Sequence, residues 1–393
     1  MTWQVDNVNM LIVCEPQCYG FEHVNINAAL IAVLRNAYPD RRIVFFAEKH
    51  HLHDVEKILN VHSINNVTLC EMAIPERTAT GFVRFIKELS LCKKVFKFAH
   101  DNGCNRLLFG SITREGLYSV KAFLIIFRAI RCYIVPHSIL ETILAQPPLR
   151  PWRSFFWWNC SRLTYIVLGE SICKQLISTF PAVKDYVNFI DHPYFYKYMD
   201  AIRRPKSDTI IFGAFGVASR QKGSQMLFSM AEEINKTATI LRPQFILIGS
   251  ILDKALKEIP AHCVSIPSPE TPLTAEQFDY YASSIDYSIF THTMDLYRLT
   301  ASGALFDAFS YIKPIIAIRN PFFEHYFSVM GDIGYLCDDY DEMLSVISEI
   351  LNHFPSDRYI LQCNNILLGR EKINIPRLAE KFAMIWENNQ SCA

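Results

Sequence analysis

Residues 209–223 read TIIFGAFGVASRQKG, and this stretch decides the fold class of the chain. Its apolar first half predicts a buried strand, after which Gly216 opens a turn that leads to Lys222 and Gly223, directly before a helical pattern. Glycine lets a ligand approach the backbone, and the start of a helix offers unpaired N–H groups with a partial positive charge. With the charges of Arg220 and Lys222 added, the turn favours a bound diphosphate. Alternatively, it is a solvated loop with two basic surface side chains.

A second loop of the same kind lies in residues 300–317, TASGALFDAFSYIKPIIA. The small residues Ser302 and Gly303 open a helix and expose backbone donors, and Asp307 follows about one turn later. Because Ser302 is also a good N-cap, an ordinary capped helix with a solvated acid is the alternative. Two such loops at strand ends in one half of the chain favour a ligand site, since ligands of doubly wound sheets bind at the carboxyl ends of strands.

Short apolar runs alternate with longer helical patterns through both halves of the chain. This rhythm predicts right-handed crossovers and parallel sheets. A polar, aromatic stretch with prolines at residues 191–208 interrupts the rhythm and is interpreted as a linker. The expected architecture is α/β, with two Rossmann-like domains that face each other across a cleft. They comprise residues 1–190 and 209–372, and a final helix within residues 373–393 is expected to pack back onto the first domain.

Composition narrows the class of protein. Among 393 residues, 39 Lys and Arg balance 39 Asp and Glu, which argues against a general nucleic-acid binder. The 12 cysteines form no Cys-x-x-Cys pair and are expected to be reduced and mostly buried. The N-terminus lacks the basic start of a signal peptide, and Lys121, Arg128 and Arg131 interrupt the most apolar stretch, residues 120–135. We therefore expect a cytoplasmic protein without a transmembrane segment.

From residue 209 to about residue 351, the chain resembles the donor domain of GT-B glycosyltransferases, above all the glycogen-synthase-like group, family 4. The shared features are a glycine turn with a basic residue and Lys-Gly, then a small-residue segment, an acid-Ala pair and Lys-Pro before an apolar strand. The resemblance implies sugar transfer from a nucleoside-diphosphate sugar, with a UDP-sugar or GDP-sugar as the donor and no further cofactor. It assigns donor binding to Gly216, Arg220, Lys222, Gly223, Ser302, Gly303 and Asp307.

The resemblance also implies a role for each residue type. Lys222 and Arg220 would bind the diphosphate, the backbone of the small residues would bind phosphate, and Asp307 would hold the nucleotide ribose. The family motif carries two glutamates separated by seven residues. Asp307 takes the place of the second, and Leu299 takes the place of the first, which is linked to the donor sugar in retaining enzymes.

The missing first glutamate keeps alternatives to a transferase open. One is a catalytically silent GT-B subunit that binds a partner enzyme, and another is a sugar-nucleotide epimerase, which uses the same fold without an acceptor. For a transferase, the family suggests assembly of a polysaccharide or glycoconjugate.

The first half of the chain is expected to bind the acceptor, which is a carbohydrate or a lipid-linked glycan. The loop after the first predicted strand, residues 18–23, reads CYGFEH and leads into a helix. In this fold such a loop faces the cleft. Gly20 and His23 are therefore candidate acceptor ligands, and Glu22 is a candidate catalytic base.

His137 follows the fifth predicted strand in the sequence Val-Pro-His-Ser. A histidine at the end of a strand can accept a hydroxyl proton near neutral pH, which makes His137 the second catalytic candidate. Alternatively, it is a loop histidine that caps a helix. Asp101, which follows His100, is a further candidate for acceptor binding.

Two patterns resemble metal sites but are interpreted otherwise. His50, His51 and His53 are expected in an exposed loop, because neighbouring side chains seldom converge on one ion. Asp339 and Asp341 match an Asp-x-Asp signature, yet they lie directly before a helix, where Asp is a favoured cap. No metal ion is expected, and the resemblance implies that basic residues and helix dipoles neutralise the leaving diphosphate.

Residues 150–158 read RPWRSFFWW and combine arginine with tryptophan. Both residue types favour the interface between water and lipid, which suggests peripheral contact with the inner face of a membrane. The alternative is a hydrophobic segment that is buried between helices.

Overall fold

The structure is a computed structural model, and it describes residues 10–136, 139–140, 159–197, 208–251, 253, 256, 263–292 and 298–388. It divides into two compact units. The first unit contains the described residues up to Phe195 together with those from Ile373 onward, and the second unit is Tyr196–Lys372.

The described part of the first unit is built on seven parallel strands. They are β1 Met10–Cys14, β2 Arg42–Ala47, β3 Val67–Glu71, β4 Arg106–Phe109, β5 Arg131–Ile134, β6 Leu163–Leu168 and β7 Val187–Ile190. Their order in the sheet is β3-β2-β1-β4-β5-β6-β7. The direction of winding reverses between β1 and β4, which is the switch point where doubly wound sheets bind ligands.

Six helices of the described residues cover this sheet: α1 Val24–Ala37, α2 Lys49–Val61, α3 Gly81–Asp101, α4 Arg114–Ile126, α5 Glu170–Thr179 and the C-terminal helix Ile375–Asn388. The C-terminal helix packs against α1. Its Trp386 is buried and stacks on Tyr133 of β5 with ring centroids 4.2 Å apart. The Tyr133 hydroxyl donates to the Trp386 carbonyl over 3.0 Å. The last helix of the chain is thus part of the core of the first unit.

The described part of the second unit contains six parallel strands: β8 Thr209–Phe215, β9 Arg242–Ile248, β10 Val264–Ser265, β11 Tyr287–Phe290, β12 Ile315–Ile318 and β13 Gly334–Cys337. Their order is β10-β9-β8-β11-β12-β13, so this sheet has its switch point between β8 and β11. Its helices are α6 Gln225–Asn235, α7 Ala275–Ser284, α8 Gly303–Ser310, α9 Pro321–Met330, α10 Tyr340–Asn352 and α11 Ser356–Arg370. With these named, the C-terminal helix of the chain is α12.

Both sheets confirm the predicted α/β class, and several local predictions need correction. The sequence analysis missed β7, α9 and α11. It also placed His50, His51 and His53 in an exposed loop, whereas all three lie in the first turns of α2. The helix forms there because the Glu48 side chain caps it by accepting the His51 N–H over 3.0 Å. None of the helices in the described ranges is long and apolar enough to cross a membrane.

Candidate functional site

The turn after β8 is held in shape by glycines and a serine cap. Gly216 has a φ of +89° and Gly223 a φ of +66°, a region of backbone conformation that favours glycine. Between them lies a short 3-10 turn, Arg220–Lys222, in which the Ser219 side chain accepts the Lys222 N–H. The sequence therefore dictates a tight turn that presents the Lys222 side chain at the carboxyl edge of the second sheet.

Gly223 also fixes this turn to the neighbouring strand. A Cβ atom at Gly223 would lie 2.7 Å from the carbonyl oxygen of Thr291, the residue that follows β11. Only glycine allows this approach, so the turn after β8 lies against the end of β11 across the switch point. Gly249, after β9, approaches the Gly216 carbonyl in the same way, since its Cβ would lie 1.9 Å away.

A pocket opens at this junction, lined by Gly216, Lys222, Thr291 and His292 among others. Burial lowers the pKa of Lys222, and within the part of the chain that the structure describes its ammonium group forms no ion pair. His292 is almost fully buried. Burial, and then the charge of Lys222, lowers the pKa of His292 to about 3, so its imidazole is neutral at physiological pH. The pocket thus holds a positive charge that suits an anionic ligand.

The start of α8 carries the other predicted donor residues. Ser302 occupies the N-cap position, but its side chain makes no cap hydrogen bond, and its buried Oγ has no partner among the described residues. This corrects the alternative of an ordinary capped helix. A Cβ at Gly303 would meet open space, so packing does not require a glycine there. Asp307 is half-buried about one turn into the helix. Arg220 is exposed, beside the pocket-lining Lys222.

Two further polar side chains near these loops were missed by the sequence analysis. Asn320 follows β12 and is buried, and its Oδ1 accepts the N–H groups of Phe322 and Phe323 at 3.0 Å each. Its Nδ2 has no partner in the described ranges, and neither has the Oγ1 of Thr300. An Asn before a Pro can be recognised as an N-cap from sequence, but an unpaired amide nitrogen cannot.

Leu299 takes the place of the first glutamate of the family motif and is buried at 1% exposure. The position is therefore part of the apolar interior of the second unit. It supplies no carboxylate to a ligand.

The carboxyl edge of the first sheet carries a polar network of a different kind, which the sequence analysis also missed. Glu15, directly after β1, is fully buried. Its carboxylate accepts hydrogen bonds from the Gln17 N–H over 3.1 Å, from the Asn27 side-chain amide over 3.1 Å and from the Ser111 hydroxyl. Gly110 makes room for this network, since a Cβ there would lie 2.8 Å from the Asn27 Oδ1.

His51 extends the network to the predicted acceptor loop. Its Nε2 lies 3.0 Å from the Asn27 Nδ2, which is a donor, so Nε2 accepts and Nδ1 carries the proton. Nδ1 then donates to the Gly20 carbonyl over 2.8 Å. The Gly20 N–H donates to the Glu48 carboxylate over 3.3 Å. Both backbone groups of Gly20 are thus held by the start of α2.

The Glu22 side chain of this loop has partners within the first unit. Its carboxylate pairs with Arg77 and accepts the Tyr19 N–H over 3.1 Å. Partial burial raises the pKa of Glu22, but the Arg77 and Tyr19 hydrogen bonds outweigh it, so the pKa is lowered. His23 begins α1 in a left-handed conformation with φ +53°.

His192 lies just after β7, a strand that the sequence pattern did not predict, so there was no reason from the sequence to expect this histidine at a strand end. Its Nδ1 lies 3.0 Å from the Pro193 carbonyl and donates to it. Burial, and to a lesser extent His23, lower the pKa of His192 to about 4 despite that hydrogen bond. The ring is a neutral imidazole at the carboxyl edge, which is the form that accepts a proton.

Among the remaining candidates, Asp101 is not brought to these sites. Asp101 is exposed at the end of α3, at the amino edge of the first sheet, where it pairs with Lys97 and His100. It therefore lies at the opposite edge of the sheet from Gly20. Asp339 caps α10 by accepting the Glu342 N–H. No group of His, Cys, Asp or Glu side chains in the described ranges could hold a metal ion. His137 and residues 150–158 lie outside the described residues.

Comparison with known proteins gives matches at the level of structure. No family model and no curated protein sequence matches the chain. HepE from Anabaena, solved in complex with UDP-glucose, shares 15% identity at a TM-score of 0.65, over 96% of this chain and 99% of that one. TarM from S. aureus was solved as a mutant with UDP, fondaparinux and α-GlcNAc-glycerol. It shares 11% identity with this chain at a TM-score of 0.63, over 96% of this chain and 99% of that one.

A glycosyltransferase from Rickettsia africae is also similar, with 9% identity at a TM-score of 0.63, over 98% of this chain and all of that one. In each case the likeness extends over nearly the whole of both chains. The chain therefore has the GT-B glycosyltransferase fold.

Proposed function

We propose that this chain is a glycosyltransferase that moves a sugar from a nucleoside-diphosphate sugar to an acceptor hydroxyl. The observation that carries the proposal is Lys222, a largely buried cation at the switch point of the second sheet, which forms no ion pair with the described residues. A buried charge is costly unless an opposite charge neutralises it, so the pocket suits a diphosphate. HepE and TarM were solved with UDP or a UDP-sugar, which supports a UDP-sugar as the first donor to test.

The proposed chemistry places positive charge where the leaving group develops negative charge. When the bond between the sugar and the diphosphate breaks, Lys222 and Arg220 would stabilise the departing phosphate oxygens. The backbone N–H groups at the start of α8, near Ser302 and Gly303, would add the positive end of the helix dipole. Asp307, one turn later, would accept hydrogen bonds from the ribose hydroxyls. The proposal includes no metal ion.

Acceptor binding is proposed for the carboxyl edge of the first sheet. The loop with Gly20 and His23 would contact a carbohydrate or the glycan of a lipid-linked acceptor, in the assembly of a polysaccharide or glycoconjugate. A base must take the proton of the attacking hydroxyl. Glu22 and His137 remain the candidates predicted from sequence, and His192 is a further candidate because it directly follows β7 at the carboxyl edge of the first sheet.

Turnover tests the proposal directly. Purified protein is incubated with UDP-sugars and sugar acceptors, and the UDP released is measured. We expect release that rises with the acceptor and that falls at least tenfold in Lys222→Met, as loss of a charged hydrogen bond implies. Lys236→Met is the control, because Lys236 is exposed and pairs with Glu232 at the end of α6.

Other outcomes would favour the alternatives. Conversion of the donor sugar without dependence on an acceptor would favour an epimerase. Nucleotide binding without any turnover would favour a silent subunit, the second candidate function, to which the apolar Leu299 points.

A further inference from the structure

The first turns of α3 expose large apolar side chains. Phe82 is 76% exposed, Val83 is 59% exposed and Ile86 is 45% exposed. The other face of the helix is buried in the first unit through Leu91, Cys92, Val95, Phe96 and Ala99. The exposed residues are therefore not part of the core face of the helix, and the fold does not account for their apolar character.

A fourth exposed aromatic lies at the same edge of the sheet. Phe21, in the loop after β1, is 70% exposed. That loop is tied to the segment before α3, because the Tyr19 hydroxyl donates to the Pro75 carbonyl over 2.6 Å and Glu22 pairs with Arg77. Both the loop and the start of α3 follow the carboxyl ends of strands. We refer to Phe21, Phe82, Val83 and Ile86 as the apolar corner.

Lysines continue the exposed face of α3 beyond the apolar corner. Helical spacing puts Lys93 and Lys97 on the same stripe as Phe82 and Ile86, and Lys94 lies beside them. All three lysines are exposed. Among them, only Lys97 has an acidic partner, Asp101, within the part of the chain that is described. The exposed face thus joins an apolar tip to an excess of positive charge.

We propose that this face of α3, with Phe21, docks onto an anionic lipid surface. Apolar side chains next to lysines are the pattern of segments that lie in the lipid interface, where each cation near an anionic surface strengthens binding. Lysine is depleted from interfaces between proteins, so the lysines disfavour a protein partner. This proposal stands without the proposed glycosyltransferase activity. If the chain both docks on lipid and transfers sugar, the lipid surface would present a lipid-linked acceptor to the loop of Gly20 and His23.

Flotation of the full chain with lipid vesicles tests the proposal. The probes are vesicles of phosphatidylcholine alone and of phosphatidylcholine mixed with phosphatidylglycerol. We expect the wild type to bind the mixed vesicles. Binding should weaken at least tenfold in the double variant Phe82→Ser with Ile86→Ser, and about as much in Lys93→Glu with Lys94→Glu. High salt should remove the difference between the wild type and the lysine variant, because it screens the charges.

A matched control and a rival segment make the test decisive. Ile125→Ser with Ile126→Ser changes two residues that are 56% and 67% exposed at the end of α4, at the opposite edge of the sheet, and should bind as the wild type does. Circular dichroism and melting temperature show that each variant is folded. No flotation of the wild type, or unchanged flotation of both α3 variants, would overturn the proposal. So would loss of binding in Trp157→Ser with Trp158→Ser alone, since that would assign the contact to residues 150–158.

Discussion

The carboxyl edges of the two sheets differ in how their buried polar groups are satisfied. In the first sheet, Glu15 is fully buried and accepts three hydrogen bonds from other parts of the same unit. In the second sheet, Lys222 has no acidic partner among the described residues. The buried Ser302 Oγ and Asn320 Nδ2 have no hydrogen-bond partner among them either. The buried carboxylate of Glu15 has its partners within the fold, whereas Lys222, Ser302 and Asn320 lack partners that the described chain does not supply.

This difference bears on what each edge does. Buried polar groups without partners cost free energy of folding, so they persist where function requires them. The second sheet is suited to a charged, hydrogen-bonding ligand that completes Lys222 and Ser302. The first sheet instead uses its buried acid to shape a loop, through Asn27 and His51, and leaves the loop surface to contact a ligand.

The largest effect on stability is expected from Glu15→Gln. The new amide nitrogen would face a donor, because the groups hydrogen-bonded to the carboxylate, the Cys18 thiol included, are donors. Loss of charge-assisted bonds at a buried site should cost about 3 kcal/mol of the free energy of unfolding. Calorimetry should show a melting temperature lower by roughly 6 °C or more. Glu71→Gln, on the exposed end of β3, is the control, and an equal effect in both variants would show that the network does not matter.

A smaller effect on stability is expected at the starts of α8 and α10, because Asp339 caps α10 with its side chain and Ser302 does not cap α8. Ser302→Ala removes a hydroxyl that caps nothing, so stability should not fall, while affinity for a nucleoside diphosphate should drop about fivefold, as for one hydrogen bond. Asp339→Ala should do the reverse, costing about 1 kcal/mol of stability as the α10 cap is lost, with nucleotide affinity unchanged. Thermal melts and calorimetric titrations check both. If Ser302→Ala lost stability instead, Ser302 would be a structural cap.

The alternation of apolar runs and helical patterns was enough to predict both parallel sheets, because buried strands are marked by local composition. It failed at β7, whose four residues include Asn188, and at α2, where the helix begins among histidines because Glu48 caps it. A strand as short as β7 depends on its partner strand β6, and the cap of α2 is a glutamate, which is not among the residues favoured at that position. Within the site, by contrast, the glycine turn and Lys222 could be predicted from adjacent residues alone.

Glu15, His51, His192 and Asn320 could not be predicted, because their significance lies in burial and in contacts across the fold. Glu15 meets Ser111 from another strand end, and Asn320 matters through an amide nitrogen that stays unpaired. Glu22 shows the converse. Its residue type suggested a base, and only the structure shows that its carboxylate pairs with Arg77.

Lys222 itself gives the sharpest contrast between stability and binding. Burial lowers its pKa in the folded chain, so the unfolded chain binds the proton more tightly and stability rises as pH rises through the folded pKa. Below that pH the buried charge destabilises the ligand-free protein. Lys222→Met should therefore raise the melting temperature of the free protein at neutral pH.

Calorimetric titration of UDP into wild type, Lys222→Met and the control Lys236→Met is the most direct test of the central claim that Lys222 is the cation of an anion site. We predict binding by the wild type and by Lys236→Met, and an affinity weaker by roughly 10- to 100-fold in Lys222→Met despite its higher melting temperature. Equal affinity in all three proteins would contradict the claim, because it would show that the nucleotide binds without the charge of Lys222.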